Sequence, residues 1–367
     1  MTEPAPCARQ PRIGVLLPKP LGFGGSQYTY ARYAIPALSA AGADLCSVSI
    51  DDQPHPSSAR SSGAAWANFR NWIAYQKSIA ARVRKSDCRV AWVPFPSHIP
   101  LRELKIPEII SVHDLIPCIF RSEFPRTYIL WRLVVLPALQ RCSAIIAVSE
   151  STKKDLLSFT SIPESKVHVV HNGFQEHLLH LDDQGSPRSR PYLLYVASTL
   201  YPYKNTSALL SAFNKARLQR DFELIIAGKS VPRYQKELHA CIERNGLAAA
   251  VTTVSNISDA SLAALYRHAA LFVYPSLYEG FGMPPLEAMA FGIPVVASRA
   301  ASIPEVCGDA AYYVDERSDA SLAEGMLAVL TSDSLRKRLT EAGFRRAGQF
   351  SWDQLGRQLF DMCLAVE

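Results

Sequence analysis

The sequence predicts an α/β protein of two domains, each built on a doubly wound parallel sheet. Short apolar runs alternate with helical patterns along the chain, which favours parallel strands covered by helices on both faces. A polar, turn-rich stretch interrupts this alternation near the middle of the chain, and the same pattern then begins again. The length of 367 residues is also sufficient for two domains with sizeable cores.

The first domain is predicted to open on a strand, a glycine loop and a helix, the usual start of a doubly wound sheet. An apolar run at 12–18 leads into a loop that contains Gly24 and Gly25, and a helical pattern follows at 27–41. Further apolar runs lie at 44–50, 90–95, 109–112, 144–148 and 167–170, with helical patterns at 65–85 and 127–141.

The domain boundary is predicted from a change in composition. Residues 176–190 are polar and turn-rich towards their end, which is typical of a linker. We therefore predict Rossmann-like domains at 1–175 and 191–348, and an amphipathic helix in the terminal segment 349–367. The apolar runs of the second domain lie at 192–196, 222–227, 251–254, 271–274 and 294–297. Its helical patterns include 206–215, 234–245 and 259–269.

Composition and charge exclude several classes of protein. The net charge of +6 comes without a clustered basic stripe, so we expect no nucleic-acid partner. The eight cysteines have no metal-ligand spacing, and residues 1–11 contain no apolar run, which together favour a cytoplasmic setting. The longest apolar stretch, 128–139, contains Arg132 and Pro137, and we interpret it as a buried helix. The arginines around it leave peripheral contact with a membrane open.

The segment 279–287 is the strongest candidate for a binding site. Gly280 and Gly282 would let backbone N–H groups approach a ligand closely. The two prolines that follow predict a helix at 286–291 with Glu287 in its first turn, where the macrodipole stabilises a carboxylate. A fixed carboxylate at the carboxyl edge of a parallel sheet can bind a vicinal diol such as a ribose, and Glu279 can bind sugar hydroxyls. A glycine loop before a helix is common, so the specificity comes from the longer pattern around it.

Residues 257–315 closely resemble the donor-binding half of the family-4 retaining glycosyltransferases of the GT-B fold. Shorter stretches of similarity lie at 24–25, 111–117, 147–151, 170–173, 202–205, 227–229 and 350–352. The resemblance implies two Rossmann-like doubly wound domains facing a central cleft, with the acceptor side in the first and the donor in the second. It also implies that the helix in 349–367 crosses back to the first domain.

The resemblance implies a role for each matching residue. The counterpart of Glu287 holds the ribose, that of Glu279 lies beside the transferred hexose, and that of Lys204 contacts the diphosphate. A cation there stabilises the leaving nucleotide more in the transition state than in the ground state. The predicted catalytic residues are His113, Lys204 and Glu279. The predicted substrate-binding residues are Gly24, Gly25, Asp114, Ser198, Phe281, Gly282, Met283 and Glu287.

Two departures from the family pattern concern the positively charged residues expected near the donor diphosphate. Many relatives carry an arginine where this chain has Ser198, and an arginine often stands in place of Tyr203. The candidates for a second cation are Lys229, Arg233 and Arg299. For Asp114, the alternatives are orientation of His113 and capping of the turn at 115–117.

The predicted function is retaining, metal-independent transfer of a hexose from a nucleotide sugar, with no resident cofactor. The sequence of residues 113–117 is similar to that of relatives that use GDP-mannose or GDP-6-deoxymannose. UDP-sugars and dTDP-sugars are the alternative donors. The expected acceptor is a glycan or lipid-linked glycan at the inner face of the plasma membrane, in O-antigen or lipopolysaccharide synthesis. The basic, aromatic stretch 65–85 could form the acceptor or membrane side. The alternative enzymes are a sugar-nucleotide epimerase and a phosphorylase on the same fold, and a non-catalytic assembly partner is less favoured.

Overall fold

The computed structural model describes residues 12–17, 26–48, 76, 78–183, 185–186, 188–229 and 231–367, with the backbone alone for 26–28. The chain divides into two compact units. One extends to His171 and includes Trp352–Glu367, and the other is Asn172–Ser351.

The first unit contains a parallel sheet of six strands in the order β2-β1-β3-β4-β5-β6. The strands are β1 Arg12–Leu16, β2 Asp44–Val48, β3 Val90–Val93, β4 Glu108–Val112, β5 Ala144–Ala147 and β6 Val167–Val169. The helices are α1 Ser26–Ala40, α2 at 78–85, α3 Ile116–Ile119, α4 Pro125–Leu130, a π-helical turn Trp131–Val135, α5 Leu136–Leu139 and α6 Glu150–Phe159. Every residue of β3 and β5 is buried, as expected for central strands covered on both faces.

The second unit repeats this architecture with the order β12-β11-β10-β7-β8-β9, again all parallel. Its strands are β7 Tyr192–Thr199, β8 Glu223–Lys229, β9 Val251–Val254, β10 Leu271–Tyr274, β11 Val295–Ser298 and β12 Ala311–Val314. Its helices are α7 Thr206–Lys215, α8 Pro232–Arg244, α9 Asp259–Arg267, α10 Met283–Ala290, α11 Ile303–Cys307, α12 Asp319–Thr331 and α13 Asp333–Ala347.

The terminal helix, α14 (Trp352–Val366), belongs to the first unit and packs against α1. The absence of a side chain at Gly356 permits the close approach, because a Cβ there would lie 2.4 Å from the backbone of Ala37. The indole of Trp352 stacks on Tyr33 at a centroid distance of 5.4 Å and meets Tyr30 edge-on at 5.8 Å. In the described part of the chain, no helix is long and apolar enough to cross a bilayer.

Two sequence predictions need correction, and one strand has no counterpart in the prediction. The single helix expected at 127–141 is divided into α4, the π-helical turn and α5, and it is not simply buried, because Ile129, Leu130 and Leu133 are exposed. Strand β12 was not predicted, since its run is four residues long and its two tyrosines are only half-buried. Helix α10 begins at Met283 instead of 286, because prolines are tolerated in a first turn whose N–H groups lack helical partners.

Candidate active site

A buried ion pair lies at the carboxyl edge of the second sheet. The Nζ atom of Lys204 is 2.7 Å from both Oε1 and Oε2 of Glu279, and each residue is 7% exposed. Lys204 follows β7 and Glu279 follows β10, and these parallel strands are neighbours. The two residues meet because the strands end at the same edge of the sheet. The carboxylate depends on this cation, since an unpaired buried charge is very costly.

The turn that presents Lys204 is fixed by the side chain of Asn205. Its amide nitrogen donates to the backbone carbonyls of Pro275, at 3.1 Å, and Glu316, at 2.8 Å. Asn205 has a left-handed φ of 59°, which asparagine adopts more readily than most residues. These bonds attach the turn after β7 to the segments that follow β10 and β12, and so bring Lys204 to its partner.

The glycine loop at 279–282 is held by a serine from the segment after β11. The Oγ atom of Ser302, which is fully buried, is 2.9 Å from the carbonyl oxygen of Glu279 and 2.7 Å from that of Phe281. A second serine, Ser298, donates to the carbonyl of Ser276 at 2.6 Å. The conformation of the loop therefore depends on side chains that are distant in sequence.

The loop ends at Gly282, which is the N-cap of α10. Its φ of 113° favours glycine, and a Cβ at this position would meet no heavy atom of the described residues within 4 Å, so the constraint is conformational. Among the described residues, no side chain caps the start of α10. Since prolines have no N–H, the backbone donors of this first turn include Met283 and Leu286. Such a helix start can accept an anion.

Glu287 is buried within α10, at 3% exposure, and is bound by neutral donors. The hydroxyl of Tyr266 donates to its Oε2 at 2.7 Å, and the side-chain amide of Gln175 donates to its Oε1 at 2.9 Å. Burial raises the pKa of this carboxyl group, and the hydrogen bonds from Tyr266 and from the side chain and backbone of Gln175 oppose that effect. A carboxylate oxygen can accept more than one hydrogen bond, and a carboxylate with two such oxygens can bind a diol.

The position of Glu287 in the helix corrects one prediction. It is the fifth residue of α10, and the first turn contains no acidic residue. The expected stabilisation by the macrodipole in the first turn is therefore wrong, because that effect declines beyond the first turn. Tyr266 and Gln175 provide the hydrogen bonds that this carboxylate receives.

In the first unit, His113 follows β4 and lies among aromatic rings. Its ring centroid is 4.4 Å from that of Tyr30 and 5.6 Å from that of Phe95. The Nε2 atom is 2.9 Å from the carbonyl oxygen of Pro94, and since a carbonyl only accepts, we assign the proton to Nε2. Burial lowers the pKa of His113 to about 4, so the ring is neutral near pH 7.

The side chain of Asp114 caps the turn that follows. Its Oδ1 accepts a hydrogen bond from the backbone N–H of Ile116 at 3.0 Å. Of the two alternatives for this residue, the structure thus contains the capping bond. The turn leads directly into α3.

Two family models match the chain and together cover most of it. Residues 29–177 match Glycosyltransferase Family 4, and residues 180–346 match Glycosyl transferases group 1. The chain belongs to glycosyltransferase family 4. The resemblance found in the sequence motifs is thereby confirmed.

This family-4 chain is similar to several mannosyltransferases. It is 28% identical over 269 residues to the serotype-specific mannosyltransferase WbdA of Escherichia coli, a match that covers 69% of this chain and 33% of WbdA. It is 36% identical over 218 residues to the MMP alpha-(1->4)-mannosyltransferase of Mycolicibacterium hassiacum, covering 58% and 52%. It is 27% identical over 226 residues to the O-antigen chain mannosyltransferase RfbU of Salmonella typhimurium, covering 61% and 59%. The match therefore spans about a third of the length of WbdA.

Solved structures share the fold over nearly the whole chain. Sucrose-phosphate synthase from Thermosynechococcus elongatus has a TM-score of 0.78 at 20% identity, covering 98% of this chain and 100% of that one. HepE of Anabaena, in complex with UDP and glucose, has a TM-score of 0.73 at 18% identity, covering 97% and 100%. At these identities the likeness concerns the fold, and the predicted α/β GT-B class is confirmed.

The structure of this family-4 chain brings only some of the predicted site residues together. Lys204 and Glu279 are in direct contact, and Phe281, Gly282 and Met283 continue the loop from Glu279 into α10. Glu287 has a separate hydrogen-bonded environment, and His113 and Asp114 belong to the other compact unit. The predicted Gly24 and Gly25, and most of the stretch 65–85, lie outside the described residues.

Ser198 is exposed near the end of β7, where the pairing with β8 shifts register between Val196 and Thr199. Of the alternative cations, Lys229 pairs with Thr199 across these strands, so it lies at the same edge of the sheet as Ser198. Arg299 follows β11 and lies 4.7 Å from the ring centroid of Tyr313. Arg233 is on α8 and forms an ion pair with Glu237 at 3.4 Å.

Sequence reasoning did not identify several residues that hold the site. Glu287 is bonded by Gln175 and Tyr266, and the glycine loop and its surroundings are bonded by Ser302 and Ser298. In the sequence, each of these four is an isolated, ordinary polar residue. Asn205 lies in the motif at 202–205, and the sequence pattern predicts no role for it. Among the residues that the structure describes, no group of three or more His, Cys, Asp or Glu side chains is placed to hold a metal ion.

Proposed function

We propose that this chain transfers a hexose from a nucleotide sugar to a glycan or lipid-linked glycan, with retention of the anomeric configuration and without a metal ion. The observation that carries the proposal is the buried Lys204–Glu279 pair beside the start of α10, which no described side chain caps. It combines one cation, one carboxylate and backbone N–H groups at the edge of a sheet where α/β proteins bind ligands.

Lys204 is assigned to the diphosphate of the donor. Its ammonium group has three N–H donors, and two suffice for the bonds to Glu279, so the third can reach a phosphate oxygen. As the glycosidic bond breaks, the leaving nucleotide gains negative charge, and a fixed cation stabilises that charge in the transition state. The N–H groups at the start of α10 also stabilise this negative charge.

The two carboxylates are assigned to different hydroxyl groups of the donor. Glu287 is held by neutral donors and binds the vicinal diol of the ribose. Glu279, next to Lys204, accepts hydrogen bonds from the hexose. His113, with Nε2 bonded to a backbone carbonyl, offers Nδ1 as an acceptor for a sugar hydroxyl.

Retention is proposed to follow a front-face displacement. In this scheme an oxygen of the leaving phosphate takes the proton of the acceptor hydroxyl as the new glycosidic bond forms. No protein side chain serves as a covalent nucleophile. NMR of the first-formed product identifies its anomeric configuration, and an inverted product would overturn this step.

The donor is proposed to be a GDP-sugar carrying mannose or 6-deoxymannose. The names of the three relatives above, all mannosyltransferases, support mannose, and the O-antigen name of RfbU supports a role in surface polysaccharide synthesis. The UDP complex of HepE makes UDP-sugars the alternative donors to be tested.

A thermal-shift panel of GDP, UDP, dTDP and ADP tests the donor base. A nucleotide present at 100 times its Kd adds about 2.7 kcal/mol to the stability of the protein that binds it. We expect GDP alone to stabilise the chain. Stabilisation by UDP or dTDP alone would show that the donor carries uracil or thymine instead of guanine. No response to any nucleotide would favour a non-catalytic partner.

Matched variants make the panel specific to the site. Glu287→Ala should weaken the response to GDP, whereas His113→Asn should keep it, since GDP lacks the sugar assigned to His113. Turnover of GDP-mannose with and without an acceptor then separates transfer from epimerisation, because an epimerase converts the nucleotide sugar alone.

A further inference from the structure

Three large apolar side chains are exposed on the helical segment that follows α3. Ile129 is 55% exposed, Leu130 is 40% exposed and Leu133 is 70% exposed. On the inner side of the same segment, Trp131 and Val135 are buried in the core of the first unit. The segment therefore has an apolar outer face as well as an apolar inner one, and exposed faces of this kind mark interaction sites.

The exposed residues lie on a single face. Arg126, Ile129, Leu130 and Leu133 are spaced i, i+3, i+4 and i+7, which places them along one side of a helix. The helix changes at this point from α4 into the π-helical turn that begins at Trp131. A π-helical turn within a helix is frequent at functional sites.

The charges on the segment 116–141, which carries this face, are predominantly positive. Arg121, Arg126 and Arg132 are all exposed, whereas Glu123, the acidic residue of the segment 116–141, is half-buried. We call Arg126, Ile129, Leu130, Arg132 and Leu133 the 126–133 patch. Pairing of this patch with its copy on a second chain would bring like charges together, because a two-fold interface uses the same surface on both chains.

We propose that the 126–133 patch docks the chain on an anionic phospholipid bilayer. The three apolar side chains enter the boundary between headgroups and acyl chains, and the arginine guanidinium groups remain at the level of the lipid phosphates. The proposal specifies anionic lipid because each arginine near a negatively charged surface adds to the binding that the apolar contact provides. The docking goes beyond the proposed function and does not depend on it.

Co-sedimentation of the full chain with vesicles tests this docking. We expect binding to phosphatidylglycerol-containing vesicles that weakens with added salt, and much weaker binding to phosphatidylcholine alone. The variant Arg126→Gln/Arg132→Gln should lower the partition coefficient about 30-fold. The variant Leu133→Ser should lower it about tenfold.

Matched controls come from α14 of the same unit, where Leu364 is 47% exposed and Arg357 is exposed. Leu364→Ser and Arg357→Gln should leave vesicle binding unchanged, and circular dichroism should show that every variant is folded. Equal binding to both lipids, or equal loss in the α14 variants, would overturn the proposal. So would a dimer in lipid-free solution that Leu133→Ser dissociates, since the patch would then be covered by a second chain.

Vesicle binding and the nucleotide panel fail independently. The patch variants should retain the stabilisation by nucleotide, and Glu287→Ala should retain vesicle binding. A chain that binds vesicles but no nucleotide would refute only the transferase proposal, and the reverse result would refute only the docking.

Discussion

The two compact units hold their candidate site residues in opposite ways. In the second unit, Lys204 and Glu279 are buried as an ion pair, so each charge depends on the other. In the first unit, His113 is neutral, surrounded by aromatic rings and bonded to one backbone carbonyl. Both sites follow the carboxyl end of a central strand. The comparison shows that the carboxyl edge of a parallel sheet can present either a buried charge pair or a neutral hydrogen-bond acceptor. We propose that the charge pair serves a diphosphate and that the neutral acceptor serves a sugar hydroxyl.

The largest expected effect comes from breaking the charge pair. Lys204→Met leaves Glu279 buried without its cation, and we expect the free energy of unfolding to fall by about 3–5 kcal/mol. Chemical denaturation measures the change. The double variant Lys204→Met/Glu279→Gln removes both charges and should recover much of the loss. A single variant as stable as the wild type would show that the pair does not hold the site.

The next effect concerns the neutral histidine and appears as a pH dependence. Since the pKa of His113 is lowered to about 4 in the folded chain, the unfolded chain binds the proton more readily between pH 4 and its ordinary value of about 6.5. The contribution of His113 to stability therefore falls as the pH drops through this window, by up to about 3 kcal/mol, and this contribution is constant above it.

Denaturation of the wild type and of His113→Asn across this pH range isolates that contribution. Other groups of the same unit cancel in the comparison. His98 also has a pKa lowered to about 4, and Glu108 has one raised to about 7 by burial, which acts in the opposite direction. A difference between the two proteins that is the same at every pH would contradict the assignment.

A smaller effect is expected at Glu287, the carboxylate that we propose binds the ribose. Glu287→Ala should lose about 1–3 kcal/mol of transition-state binding, which is about 5- to 150-fold in kcat/KM. Tyr266→Phe removes only one donor to this carboxylate and should cost less. A dideoxyribose donor should bind worse than the normal one to the wild type but equally to Glu287→Ala. Wild-type turnover by Glu287→Ala would exclude the ribose role.

The smallest effect is expected at the turn before α10. Gly282→Ala forces a side chain into a left-handed conformation with open space around it, which costs about 1–2 kcal/mol of stability. Gly246→Ala is the matched control, because Gly246 also has a positive φ and no heavy atom of the described residues within 4 Å of its Cβ position. Both should melt lower, but only Gly282→Ala should weaken nucleotide binding in the thermal-shift panel. Equal nucleotide binding by the two variants would show that the turn before α10 does not contribute to the nucleotide site.

Much of the fold followed from the sequence because its signals are local. The central strands are continuous apolar runs, such as 144–148, since both faces of the sheet are covered. The start of α10 was placed three residues late, because a first turn tolerates proline at several positions. The exposure of Leu133 was missed, since a pattern of apolar residues does not state which neighbours cover them.

The sequence by itself determined the two α/β units, the family and the segment 279–287, since periodicity and motifs are properties of neighbouring residues. The tertiary structure decided which polar groups meet. Lys204 lies 75 residues before Glu279, and Gln175 lies 112 before Glu287, so only the strand order of the sheet and the packing of its helices bring them into contact. The physical reason is that the state of a buried charge depends on the donors that fold against it, and folding selects them from distant parts of the chain.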